Sequence, residues 1–319
     1  MELADAVLGG DRLALARLLS RIENGDPEGQ RDLAGLYARG GRAHRVGVTG
    51  PPGTGKSSLV NELAKILRAT GETVAIVAVD PSSPFSGGAI LGDRIRMRDL
   101  AGDPGVFIRS MASRGALGGL SRATGDVVEA LDVAGYQWIL IETVGAGQAE
   151  VDIARTAHTT VVVEAPGLGD DVQAIKAGIL EIADVLVLNK ADLAGAEVSL
   201  RALRTSLEFG YSAPKGSAGA ADVWVPPLLA TVATRGEGIA DLADAIRRHR
   251  LYLGSSGEGR KRDRRRGEAE LEAALSEHLI SELRSRLPDG RLKSALDDVL
   301  ARRLTPRQAA EHLLQTEPA

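Results

Sequence analysis

Between Arg45 and Val60 the chain reads Arg45-Val-Gly-Val-Thr-Gly-Pro-Pro-Gly-Thr-Gly-Lys-Ser-Ser-Leu-Val60. Within it, Gly50-Pro51-Pro52-Gly53-Thr54-Gly55-Lys56-Ser57 has the form of a phosphate-binding loop. Its glycines let the backbone turn tightly, so that successive N–H groups face inward on an anion. Lys56 can reach β- and γ-phosphates, and the Ser57 hydroxyl can ligate Mg²⁺. The apolar run before the loop reads as a strand. The segment from Ser58 onward reads as a helix whose positive end points at the phosphates.

A second motif, Asn189-Lys190-Ala191-Asp192, follows the apolar run Val185 to Leu188. Downstream of a phosphate-binding loop, this pattern selects guanine. The Asp192 carboxylate can accept from both N1–H and the exocyclic amine. Adenine lacks both donors, and leaving the carboxylate unmatched costs ~1–3 kcal/mol. Asn189 can bond the base edge and brace the loop, and the Lys190 stem can cover the base face. The loop that flanks the other side of the base is expected at Thr231-Val232-Ala233-Thr-Arg-Gly236, where the common Ser-Ala reads Val232-Ala233.

Asp80 and Glu142 each close an apolar run. Two carboxylates at strand ends above the loop are placed to hold Mg²⁺, which prefers few carboxylates plus water and phosphate oxygens. Either carboxylate can instead cap a helix or pair with a lysine. Glu142-Thr-Val-Gly145 stands where Asp-x-x-Gly is usual, with the Gly145 N–H positioned to sense a γ-phosphate. Ala146 follows, where many small GTPases place a water-orienting Gln, and the first Gln is Gln148. A missing positioner predicts slow intrinsic turnover, accelerated by a partner. The glycine-rich loop Phe85 to Arg94, containing Asp93, and the loop Pro166 to Lys176, containing Asp170, Asp171 and Gln173, are of a kind that γ-phosphate orders. Asp93 can act on Mg²⁺ or water; Asp93 and Lys176 read equally well as surface charges.

The elements that must position these residues alternate. Strands are expected at 45–49, 73–80, 105–109, 137–142, 159–164, 184–189 and 228–232, and helices at 56–69, 117–134, 171–182, 197–209 and 238–252. Val74 to Val79, Trp138 to Ile141 and Val185 to Leu188 are continuous apolar runs, which indicates strands covered on both faces and a mainly parallel sheet. Ligands of such sheets lie beyond the strands' carboxyl ends. The expected organisation is a helical extension over 1–41, an α/β nucleotide domain over 42–253, and a helical arm over 254–319. In the arm, Gly254 to Gly259 forms a boundary and Glu268 to Leu287 a helix. Thr305 caps a last helix that opens on Pro306. The arm either packs back or joins two subunits; dimerisation is the favoured reading. The run Arg260 to Arg266 reads as a solvated helix face rather than a phosphate contact.

Composition narrows the field. With 319 residues, 44% hydrophobic and 26% charged, the chain is of ordinary globular usage. A net charge of −4 gives no field that draws it to nucleic acid or anionic lipid. The absence of cysteine excludes disulfides, thiolate metal sites and a Cys nucleophile, and suits a reducing cytoplasm. The start, Met-Glu-Leu-Ala-Asp, lacks a signal peptide's pattern, and no apolar stretch is long enough for a membrane span.

Taken with Asp80-Pro-Ser-Ser-Pro-Phe-Ser-Gly-Gly-Ala-Ile-Leu-Gly-Asp-Arg-Ile-Arg-Met97 and Gly169-Asp-Asp-Val-Gln-Ala-Ile-Lys-Ala-Gly-Ile-Leu-Glu-Ile-Ala-Asp184, these motifs resemble the MeaB/ArgK family of P-loop GTPase metallochaperones, over about residues 1–290. That family includes the methylmalonic aciduria type A protein of animals. The resemblance implies a G domain and a Mg²⁺-dependent GTPase that chaperones an adenosylcobalamin-dependent acyl-CoA mutase of the methylmalonyl-CoA type, gating cofactor loading and protecting the mutase. The cobalamin would be carried by the partner. By motif, Lys56, Asp93, Glu142 and Gly145 match catalytic positions; Ser57, Asp80, Asp93 and Glu142 match metal positions. Gly50 to Ser58, Asn189, Lys190, Asp192 and Thr231 to Ala233 match nucleotide contacts. Asp170, Asp171, Gln173 and Lys176 match a switch loop that communicates with the mutase, and the family dimerises through its C-terminal arm. The alternative is an ATP-dependent kinase or transport ATPase, the older label of the ArgK name, against which Asp192 argues. A nickel-insertion GTPase would carry Cys or His clusters, whereas the five histidines here, at 44, 158, 249, 278 and 312, are scattered in sequence. A non-catalytic scaffold would need a defective site, yet Lys56, Ser57, Asp80 and Glu142 are all present.

Overall fold

The computed structural model describes residues 2–80, 97–100, 102–112, 122–143, 149–167, 180–210, 223–288 and 290–314. Asp93, Gly145, Ala146, Gln148, Asp170, Asp171, Gln173 and Lys176 lie outside these, as does most of the helix expected over 171–182.

Three helices precede the sheet: α1 (Glu2–Leu8), α2 (Arg12–Glu23) and α3 (Pro27–Leu36). Their starts are chemical. The Asp11 carboxylate accepts from the N–H groups of Leu13 and Ala14, and Asp26 accepts from Glu28 N–H with Pro27 at the first helical position. The linker to the sheet is pinned by Asp132, which accepts from the N–H groups of Gly41, Arg42 and Ala43 at 2.8, 3.0 and 3.0 Å. Burial raises the Asp132 pKa, but these donors and Arg45 outweigh it and hold the carboxyl below its ordinary value.

The strands are β1 (His44–Thr49), β2 (Val74–Asp80), β3 (Val106–Ala112), β4 (Trp138–Thr143), β5 (Thr159–Glu164), β6 (Val185–Leu188) and β7 (Leu228–Ala230). Among the described residues they form one sheet in the order β3-β2-β4-β1-β5-β6-β7, every pair parallel. The connecting helices are α4 (Lys56–Ala69), α5 (Arg122–Val133), α6 (Ala149–Thr156), α7 (Ala196–Gly210) and α8 (Ile239–Ser256). The apolar runs are continuous because both faces are covered. Val46, Val48, Ile76 and Leu140 pack in the layer with α4 and α8, while Ala75, Val77, Ile139 and Ile141 pack with α2, α3 and α5. Leu186 and Leu188 pack with Leu203 and Leu207 of α7.

Two compact units divide the chain, Met1–Arg260 and Lys261–Ala319. Helix α9 (Glu258–Arg286) contains the point of division, followed by α10 (Arg291–Leu300) and α11 (Pro306–Leu314). Within the boundary expected over 254–259 the structure has a single-residue break between two helices. Helix α8 continues to Ser256, Gly257 turns at φ +76°, and α9 starts at once. The arginine run is helical because its charges pair one turn away: Arg264 with Glu268 at 2.8 Å, and Arg266 with Asp263 at 2.9 Å and Glu270 at 3.9 Å. Thr305 caps α11, its hydroxyl accepting from Gln308 N–H at 3.3 Å. Helices α6 and α10 have no counterpart in the sequence expectations. No helix among the described residues is long and apolar enough to cross a membrane.

Candidate functional site

The loop from Gly50 to Ser57 leaves the carboxyl end of β1 and opens α4. Gly50 sits at φ +133°, and a Cβ there would stand 2.0 Å from the Val163 carbonyl oxygen of β5, so only glycine fits. Gly53 and Gly55 also have positive φ, at +84° and +90°. The Thr54 hydroxyl donates to Pro51 O at 3.0 Å and tightens the turn. The buried Lys56 Nζ donates to Gly50 O at 2.8 Å and Pro51 O at 2.9 Å, folding its ammonium back over the loop.

Helix α4 presents the Ser57 hydroxyl to the end of β4, where it donates to Glu142 Oε1 at 2.6 Å. Both side chains are buried. Beside them Thr143 Oγ1 donates to Thr49 Oγ1 at 3.1 Å, joining the ends of β4 and β1. Two oxygens so close at a phosphate-binding loop suit a hard cation such as Mg²⁺ that takes few protein ligands. No cluster of three or more His, Cys, Asp or Glu suited to a metal occurs among the described residues. Asp80 closes β2, next to β4 in the sheet; its side chain is outside the description.

Asn189, 2% exposed, joins three segments. Its Nδ2 donates to Thr54 O at 2.8 Å, and its Oδ1 accepts from the Thr231 hydroxyl at 3.0 Å and from Ala233 N–H at 3.1 Å. Ala191 N–H adds a bond to Thr231 O at 3.0 Å. The structure therefore brings together the loops carrying Gly50 to Ser58, Asn189 to Asp192, and Thr231 to Ala233. Lys190 adopts φ +57°, a left-handed turn that lifts Asp192 out of the strand direction. Asp192 Oδ2 lies 3.2 Å from Arg235 Nη2. Arg235 was not expected from the sequence; the only signal was its place beside Val232-Ala233.

The histidines are less scattered in space than in sequence. His44 Nε2 lies 2.8 Å from Thr159 Oγ1, which lies 2.8 Å from His249 Nδ1, and the His158 ring centroid is 5.4 Å from that of His44. This chain occupies the amino ends of β1 and β5, across the sheet from the loops above.

Comparison with known proteins follows the same lines. Residues 15–287 match the family described as "Methylmalonyl Co-A mutase-associated GTPase MeaB". A Pyrococcus abyssi protein carrying a GTPase name is 44% identical, the match covering 98% of this chain and 95% of that protein. GTPase ArgK of Escherichia coli is 36% identical over 78% of this chain and 75% of its own length. A solved structure titled as an LAO/AO transport system kinase superposes with a TM-score of 0.72 at 26% identity, covering 99% of this chain and 97% of that one.

Proposed function

This chain belongs to the MeaB family of methylmalonyl-CoA mutase-associated GTPases, and from that premise we propose that it is a Mg²⁺-dependent GTPase chaperoning an adenosylcobalamin-dependent acyl-CoA mutase. The GTP hydrolysis belongs to the family. The finer reading of site, metal, client and regulation rests on the geometry and on the family's description.

The observation that carries the guanine site is Asn189. One buried amide ties the phosphate-binding loop to both loops that would flank the base, so phosphate and purine contacts form one unit. On GTP binding, Lys56 leaves the carbonyls of Gly50 and Pro51 for the β- and γ-phosphates, and the N–H groups of the loop surround the anion. Ser57 and Glu142, with Asp80, would hold Mg²⁺, which supplies charge neutralisation on the phosphate oxygens. Asp192 accepts from the guanine edge. Asp93 and Gly145 would act at the γ-phosphate. With Ala146 in the place of a water-orienting Gln, intrinsic turnover is slow and the partner accelerates it. Asp170, Asp171, Gln173 and Lys176 would form the loop that reports nucleotide state to the mutase; cobalamin stays with the partner. The domain scheme of extension, GTPase domain and arm carries over, with the arm joining two subunits in a cytoplasmic homodimer.

The ATP reading draws on the transport-kinase title of the structural relative. A competition experiment separates them: GDP and GTP displace a fluorescent guanine nucleotide from the purified chain, and ATP does not. Displacement by ATP at comparable concentration overturns the guanine reading. Affinity capture on the tagged chain with GTP, GDP and a non-hydrolysable analogue tests the client. Recovery of a cobalamin mutase is expected, and its absence in all three overturns the assignment.

A further inference from the structure

We propose that Arg235 is a positioning residue for guanine selection, holding the Asp192 carboxylate in the orientation that reads the exocyclic amine of the base. The inference deepens the guanine-site reading above and rests on it.

The two residues are presented by separate, closed turns. On one side, Lys190 is left-handed and Leu193 N–H bonds Lys190 O at 3.0 Å, closing the turn that carries Asp192. On the other, Val232 and Glu237 form an antiparallel bridge, with Val232 N–H bonding Glu237 O at 3.1 Å. Arg235 N–H bonds Val232 O at 2.9 Å inside that bridge. Gly238 seals the turn at φ +74°, where a Cβ would fall 2.3 Å from Ala230 O. Both turns hang from Asn189, through its own backbone on one side and through Thr231 and Ala233 on the other. Arg235 therefore meets Asp192 from a scaffold, not from a free loop tip.

The chemistry fits a shared carboxylate. An ionised Asp offers about four lone-pair sites. Accepting from N1–H and the exocyclic amine uses two, one on each oxygen, and leaves room for a guanidinium on Oδ2. Val232 has no side-chain donor to orient that carboxylate. Arg235 supplies one, 3.2 Å away, and the Glu237 carboxylate lies 3.8 Å from Arg235 Nη1. The pair is partly solvated, with side chains 58% and 31% exposed, so its effect is modest and salt-sensitive.

The test compares GDP with IDP, whose hypoxanthine lacks the exocyclic amine, by competition on the full chain. In Arg235→Ala the preference for GDP over IDP falls about two- to fivefold at low salt, mostly through weaker GDP binding, and Arg235→Lys restores part of it. Raising salt shrinks the difference between wild type and variant. In the Asp192→Asn background, which favours xanthine nucleotides, Arg235→Ala leaves XDP affinity unchanged. An unaltered GDP-to-IDP ratio in a folded Arg235→Ala chain at low salt overturns the proposal. If Asp192→Asn itself leaves GDP affinity unchanged, the guanine-site reading fails, and this inference with it.

Discussion

The Ser57 hydroxyl donates to the Glu142 carboxylate at 2.6 Å, linking the first turn of α4 to the end of β4. Glu142→Gln keeps the shape and the acceptor but removes the charge. We expect the rate of GTP hydrolysis to fall about 100-fold, with GDP affinity in the absence of Mg²⁺ little changed. Phosphate release measured across a Mg²⁺ titration checks this. Wild-type hydrolysis in the variant would remove Glu142 from the site.

Asn189→Ala breaks three hydrogen bonds at once and leaves Thr54 O and Ala233 N–H buried without that amide. The expected loss of stability is about 2–4 kcal/mol, with guanine nucleotide affinity falling at least about tenfold. Urea unfolding and GDP titration measure the two effects. Asn189→Asp, which keeps the acceptors and loses the donor, should fall between them.

His44 is buried against Trp138, and desolvation first, then the positive groups around it, lower its pKa from 6.5 to about 2. The groups facing it are His158, Arg250 and His249, with Thr159 bridging to the last. The folded-state value lies below the unfolded one, so the native state binds fewer protons. Stability is whole above pH 6.5 and is lost as pH falls toward the folded value. The slope is about 1.4 kcal/mol per pH unit for this group, or about 2 kcal/mol by pH 5. His44→Gln should flatten the decline in the urea midpoint between pH 7 and 5 relative to wild type. Parallel curves would show that His44 does not contribute.

In the second unit, Leu271, Leu275 and Leu279 of α9 are 62%, 53% and 61% exposed and follow one another at a spacing of four. Under the proposed arm role, a second copy of this stripe would cover it in a symmetric dimer. Leu275→Asp should turn a dimer into a monomer in sedimentation velocity, with GDP binding retained. A monomeric wild-type chain at micromolar concentration would count against the arm's proposed role.

The sheet and the phosphate-binding loop were legible because their signals are local. Covered strands must be apolar throughout, as Val74 to Val79 is, and a backbone that cradles phosphate needs glycines at fixed offsets. Helix α4 begins at Lys56 and ends at Ala69, as its spacing predicts. Helix α6 was not legible: at eight residues it is too short for periodicity to stand out. Nor was α10, since Pro288 and Gly290 read as an end although Leu292, Leu296 and Leu300 repeat beyond them. The pairing of Asp192 with Arg235 and the meeting of His44, Thr159 and His249 depend on which strands lie side by side. Parallel order is set by packing, so these contacts leave no mark in the local sequence.

Among the described residues strand β3 is at one end of the sheet, and its outer side would offer carbonyls and amides for pairing. Arg12 of α2 reaches Asp103 O, Pro104 O and Val106 O at 3.2, 2.8 and 2.6 Å, while Arg109, within the strand, pairs with Glu23. Arg12 thus ties α2 to the start of that border strand by occupying the Val106 carbonyl. A carbonyl so occupied is closed to a strand from a neighbouring molecule, which would otherwise pair along an open sheet edge and seed fibre growth.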